Sequence, residues 1–164
     1  MVILGIDPGL AIVGYGAIRN EEGKLSLLEF GAVTTSSGDD FPHRICDVYD
    51  GIQYLLDKFS PDAIAIEELF FSKNVKTALM VAQARGVALL CAAKHTSALY
   101  EYTPLQVKQA VVGYGRAEKQ QVQQMVKILL GLSEIPRPDD AADALAVAIC
   151  HAHSGKMRLH FKIK

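Results

Sequence analysis

The sequence predicts an α/β domain built on a five-stranded mixed sheet, three strands antiparallel and two parallel, flanked by helices. Residues 1–34 hold three strand-like segments joined by short turns, which makes an antiparallel meander. Beyond them, segments of helical periodicity alternate with two short apolar runs at 62–67 and 98–102, and everything after Pro104 reads as helix. The order βββαβαβ followed by helices is that of a mixed-sheet domain. At 164 residues the chain is long enough for one substantial core, so 1–153 is expected to form a single domain with a basic tail over 154–164.

The first strand is Val2-Ile3-Leu4-Gly5-Ile6-Asp7, closed by Pro8-Gly9. A continuous apolar run suits a strand buried on both faces. Asp7 at its end has two readings: a cap for the Pro-Gly turn, or a carboxylate held by a cation. Residues 12–19 form the second strand, Asn20-Glu21-Glu22-Gly23 the turn, and 24–34 the third strand with partial alternation at Leu25, Leu27, Phe30 and Val33. The acids of 36–40 can cap the following helix, 41–59, whose apolar stripe runs through Ile45, Val48, Ile52, Leu55, Leu56 and Phe59 before Ser60-Pro61. The fourth strand, 62–67, also ends in acid, at Glu67-Glu68.

A loop with Phe70 and Phe71 leads to a helix over 75–94, rich in Ala and Gly and suited to close helix packing. That helix is a candidate for a subunit interface or for packing within its own subunit. Residues 98–102 make the fifth strand. Pro104 opens a helix ending near Gly113, residues 118–130 form another, and Asp139-Asp140 opens a last helix that is apolar almost all round and therefore buried. The tail from Ser154 is expected to be loose.

Composition narrows the classes. No run approaches ~18 uninterrupted apolar residues and no basic-then-apolar leader is seen, so the expectation is a cytoplasmic protein with no membrane partner. Cys46, Cys91 and Cys150 lack metal-site spacing and read as buried inert thiols, and the five histidines show no metal-binding spacing. Net charge is −1, yet residues 1–72 carry 4 Lys/Arg against 12 Asp/Glu and residues 73–164 carry 13 against 6. Such asymmetry permits a local phosphate-binding surface.

The chemistry lies in the acids. If the first and fourth strands are parallel neighbours, Asp7 and an acid of the Glu67-Glu68 pair meet at the carboxyl end of the sheet, where α/β proteins place their sites. Alternation puts Glu67 and Glu68 on opposite faces without saying which face meets Asp7. Asp140 and Asp143, three apart, share one helix face, with Asp139 a rival to Asp140. Two carboxylates ~4 Å apart repel by roughly 4 kcal/mol at an effective dielectric of 20, so ionised together they require a cation. An all-oxygen donor set selects Mg²⁺ or Mn²⁺, and paired ions of that kind assist phosphodiester hydrolysis.

Gly5-Ile6-Asp7-Pro8-Gly9, Ala65-Ile66-Glu67, Gln83-Ala84-Arg85-Gly86-Val87-Ala88, Gln106-Val107-Lys108-Gln109, Val112-Gly113-Tyr114-Gly115 and Asp140-Ala141-Ala142-Asp143-Ala144-Leu145-Ala146 together resemble the RuvC family of Holliday junction resolvases. The resemblance covers Ile3 to about His153 and implies a ribonuclease H-like fold. It further implies a homodimeric endonuclease of recombination and repair that nicks two strands of four-way junction DNA symmetrically, with two Mg²⁺ per subunit (Mn²⁺ as a substitute) and a branch-migration motor complex as a partner. It places the catalytic and metal-holding acids on Asp7, Glu67, Asp140 and Asp143, leaving Asp139 only a capping role.

The same resemblance offers DNA contacts. Lys108 and Lys119 match basic positions suited to a phosphate or a developing phosphorane charge. Phe70 matches an aromatic that stacks on junction bases, although either Phe70 or Phe71 could plug the core. Arg85 suits a phosphate contact or an ion pair with an acid equally well. Two further functions remain open on the residues alone: a ribonuclease H-like nuclease acting on hybrids or other structured nucleic acid, and a non-catalytic actin-like nucleotide binder.

Overall fold

The computed structural model describes residues 1–69, 75–96 and 98–163. Its elements are β1 (Val2–Asp7), β2 (Ile12–Glu21), β3 (Lys24–Thr34), α1 (Phe41–Phe59), β4 (Ala63–Glu67), α2 (Val75–His95), β5 (Leu99–Tyr102), α3 (Pro104–Val112), α4 (Lys119–Leu129) and α5 (Asp139–His153), followed by a 3₁₀ helix over Gly155–Phe161. The sheet has five strands in the order β3-β2-β1-β4-β5. β1 and β3 run antiparallel to β2, while β4 lies parallel to both β1 and β5. The expected mixed five-stranded sheet is what forms.

Alternation along the strands divides the core in two. Leu4, Ile6, Ile64 and Ile66 point to one face, where Val48, Ile52, Leu55 and Leu56 of α1 and Ala88, Cys91 and Ala92 of α2 cover them. Ile3, Ala63 and Ala65 point to the other, under Val107 of α3, Val122 and Val126 of α4 and the long buried run Leu145–Cys150 of α5. Helix ends follow the caps: Asp40 accepts from the His43 amide at 3.0 Å, and Thr103 forms a reciprocal capping box with Gln106.

Several local expectations differ from the structure. β2 runs on to Glu21, because the hairpin closes through Glu22 and Gly23, both at positive φ (52° and 91°), the tight turn that matches strand twist. The tail is ordered: Phe161 packs on Tyr102 at 5.0 Å between ring centroids, and the Ile163 amide donates to the Leu99 carbonyl at 2.9 Å, extending the β5 edge. Cys46 is exposed rather than buried, since it lies on the outer side of α1, while Cys91 and Cys150 are buried as expected. Thr77–His95 of α2 is long and apolar enough to cross a membrane by length and composition alone. Here it turns its small residues to α1 and carries Arg85 to an ion pair with Glu101.

Candidate active site

β1 and β4 align in parallel with Ile6 opposite Ile66, so the next residues, Asp7 and Glu67, stand side by side at the carboxyl ends of two adjacent strands. Both belong to the face occupied by Ile3, Ala63 and Ala65, which is the α5 face. Glu68 falls on the opposite alternation and is exposed, its amide donating to the Tyr102 carbonyl at 2.9 Å. The choice between Glu67 and Glu68, open in sequence, therefore has a geometric answer: Glu67 faces the α5 acids.

What brings α5 down onto Asp7 is a floor of glycine. Gly14 pairs with Asp7 across the β1–β2 ladder. A Cβ at Gly14 would stand 2.0 Å from the Asp140 carbonyl oxygen and 3.0 Å from its Cβ, and one at Gly5 would stand 2.1 Å from the Ala144 carbonyl. Gly16 meets Leu145 in the same way, at 2.6 Å. The first turns of α5 thus lie directly on the strand backbones, which only residues without a side chain permit. These glycines were not singled out from the sequence. Their signal was the Gly14-x-Gly16 pair sharing one strand face with a glycine in the neighbouring strand.

The electrostatics reflect this closeness. Burial pushes the Asp7 carboxyl up to about 8, helped by the charges of Glu67, Asp143 and Asp140 and by a hydrogen bond with Glu67. Burial and then Asp143 raise Glu67 to about 7, against the opposing pull of Lys119 and Lys108. Asp143 is raised too, mainly by burial, although Lys119 Nζ hydrogen-bonds its Oδ2 at 2.9 Å. Four acids in one field, two of them titrating near neutrality, form a site short of positive charge. Among the described residues no three such side chains already converge as a ready-made metal-ligand group. The donor set nevertheless fits a hard divalent cation, being all carboxylate oxygen and mutually repelling until neutralised.

Glu67 and Asp143 line a cleft of 210 Å³ together with Lys108 of α3 and Lys119 of α4, so both lysines stand beside the acids. Asp139 behaves differently from the capping role expected of it. The N-cap of α5 is Pro138, and Asp139 instead pairs with Lys119 at 3.5 Å and with Arg137. Asp140 lies one residue further into the first turn and likewise does not cap. Of the two uses expected of Arg85, the structure shows the ion pair: its half-buried guanidinium pairs with Glu101 of β5. Phe70 and Phe71 lie outside the described residues.

Carboxylates gathered at the carboxyl ends of the central parallel strands of this mixed sheet, with lysines beside them, define a nuclease of the ribonuclease H-like type. Residues 3–151 match the family described as crossover junction endodeoxyribonuclease RuvC. Two relatives carrying that description are similar over nearly all of their length: one from Alkaliphilus metalliredigens, 59% identical over 164 residues (100% of each chain), and one from Ruminiclostridium cellulolyticum, 60% identical over 157 residues (96% of this chain, 95% of the other). Among solved structures, Thermus thermophilus RuvC in complex with Holliday junction substrate superimposes with a TM-score of 0.87 at 37% identity, covering 96% of both chains. The chain belongs to the RuvC family of crossover junction endodeoxyribonucleases.

Proposed function

We propose that this protein resolves Holliday junctions by paired, symmetric nicks through metal-dependent phosphodiester hydrolysis, in the service of homologous recombination and repair. The observation that carries the reading is the pairing of Asp7 with Glu67 beneath the α5 acids, in a chain whose family acts on crossover junctions. Asp7, Glu67, Asp140 and Asp143 would hold divalent cations, Mg²⁺ by donor chemistry, with two per subunit matching the surplus of acid. A cation bound there lowers the pKa of a coordinated water and offsets charge on the phosphoryl oxygens.

The chain's own residues do the rest. Asp7 and Glu67 are pre-placed by adjacent strands, so no loop needs to order before they act. Lys119 steers the Asp143 carboxylate through its 2.9 Å hydrogen bond. With Lys108, it would present positive charge to a phosphate entering the cleft that both line. Phe70 remains the candidate for stacking at the junction centre.

A homodimer suits the two-fold symmetry of the substrate. On α2, Leu79, Gln83, Gly86, Leu90 and Ala93 form an exposed stripe at alternating spacings of four and three, the seam of a helix–helix contact. Leu79 and Leu90 are 60% and 52% exposed, and a Cβ at Gly86 would meet nothing within 4 Å. A partner helix could therefore approach closely at Gly86. A branch-migration motor as a further partner rests on the family alone.

The deciding experiment incubates a synthetic four-way junction with and without Mg²⁺, comparing wild type with Asp7→Asn. Paired nicks are expected only for wild type with metal, and junction binding in every case. Equal cutting of plain duplex or hybrid would move the protein to a less structure-selective nuclease, and normal cutting by Asp7→Asn would remove the acids from the mechanism.

A further inference from the structure

Arg44, in the first turn of α1, is anchored away from its own helix. Its Nε donates to Thr35 Oγ1 at 2.8 Å, and that hydroxyl donates onward to the Leu10 carbonyl at 2.8 Å. The Thr35 amide adds a bond to the Ala11 carbonyl at 3.0 Å. The guanidinium is thereby braced against the turn that follows Asp7-Pro8-Gly9, and no carboxylate pairs with it among the described residues. An arginine side chain left free gives up rotamer entropy when it is ordered for binding. The relay through Thr35 meets part of that cost in advance and leaves the two Nη groups as donors.

Arg44 lines a second cleft, of 430 Å³, together with the turn Gly9–Ile12, Thr77 and Asp140. This cleft shares no lining residue with the 210 Å³ cleft of Lys108 and Lys119. Both nevertheless draw on the same acid cluster, Asp140 opening into one and Glu67 with Asp143 into the other. Asp140 stands on Gly14 and exerts its charge on Asp7, so the second cleft begins where the acid cluster ends.

We propose that Arg44 is a phosphate-binding residue, holding a backbone phosphate of the cleaved strand beyond the scissile group, with Thr35 as the residue that positions it. The strand is then gripped on both sides of the acids, by Lys108 and Lys119 at one and by Arg44 at the other. Charge-assisted bonds from a planar fork to phosphate oxygens suit this task better than a lone ammonium. The proposal rests on the nuclease reading above.

The test measures binding of a labelled four-way junction across a salt series without divalent cation, using the full chain as wild type, Arg44→Ala, Arg44→Lys and Thr35→Val, with melting temperatures alongside. Arg44→Ala is expected to weaken binding about tenfold, the loss of one charge-assisted hydrogen bond. It should also lower the slope of log affinity against log salt by about 0.7–0.9, one released counterion. Arg44→Lys and Thr35→Val keep the charge, so each should lose affinity two- to fivefold (~0.4–1 kcal/mol, under one neutral hydrogen bond) with the slope unchanged. An Arg44→Ala protein with wild-type affinity and slope overturns the assignment, whether or not its melting temperature falls, because it leaves only a structural brace. So does an Arg44→Ala variant whose Mn²⁺ requirement for cleavage, titrated in parallel, changes while its salt slope does not, since Arg44 then serves Asp140 instead of DNA. Wild type that cuts junctions while Arg44→Ala binds normally sinks this proposal alone. Wild type that binds no junction sinks the nuclease reading and this proposal together.

Discussion

Two acidic sites in this molecule have opposite electrostatics. Glu29, on β3, accepts from Lys58 Nζ at 2.7 and 2.6 Å and from the Tyr15 hydroxyl at 3.0 Å, and these bonds hold its carboxyl below the usual range. Asp7 and Glu67, on β1 and β4, have each other and the α5 acids, and burial drives both up, to about 8 and about 7. The first site is balanced by the chain's own lysine and tyrosine; the second holds mutually repelling carboxylates short of positive charge. A charge balanced by its own neighbours reports on folding, and one left unbalanced in a half-buried cleft reports on what the protein binds.

The sharpest way to break the comparison is Asp7→Asn. Cutting of a four-way junction should fall by about a thousandfold or more, in line with losing a group that organises charge at the reacting centre. Thermal stability should hold or rise, because a repelling charge is gone, and a marked fall in melting temperature would place Asp7 among the structural acids with Glu29.

Gly14→Ala should come next. The added Cβ meets the Asp140 backbone at 2.0 Å, so α5 must lift. Overpacking of this kind costs about 1–3 kcal/mol, and a displacement near 1 Å costs roughly a hundredfold in rate. Single-turnover cleavage and Mn²⁺ titration would both register it, and unchanged metal affinity would mean that the glycine floor does not place the acids. Lys119→Ala should slow cutting about tenfold, the size of one charge-assisted bond lost from Asp143, and move the pH–rate profile upward as that acid loses its cation.

Stability against pH sharpens the contrast further. With Asp7 raised from 3.8 to about 8, the folded metal-free protein keeps a proton that the unfolded chain has released over that interval. Stability from this group is therefore present at low pH and lost as pH climbs from about 4 to about 8. Melting temperatures across that range should decline without metal, and saturating Mg²⁺ or Asp7→Asn should flatten the decline. Glu29→Gln is the smallest effect: a surface pair is worth under about 1 kcal/mol, cutting is unchanged, and any loss of activity would mean that the two sites are linked.

Reading the interface is a similar matter of faces. The Ala/Gly-rich helix expected from sequence as an interface or an internal packing element serves as the second with Ala84, Ala88 and Ala92 buried. Its outer stripe of Leu79, Gly86 and Leu90 is left for the first. Composition could not separate the two uses because small residues suit both.

Local pattern by itself determined a great deal: all five strands and five α-helices to within a few residues, though not the 3₁₀ helix of the tail, and among the candidate acids Asp7 and Asp143 by type and spacing. These follow from periodicity and turn chemistry, which act over a few residues and leave their mark in the order of the chain. Local pattern did not separate Glu67 from Glu68, which the resemblance alone favoured; alternation defines two faces, and the packing of α5 shows that Glu67 is the one on the face of the other acids. Tertiary structure also gave Arg85 to Glu101, moved Asp139 from a cap to the Lys119–Arg137 pair, and turned Gly5, Gly14 and Gly16 into the seat of the acidic helix. Ion pairs and backbone contacts join residues far apart in the chain, and no local pattern carries their distance.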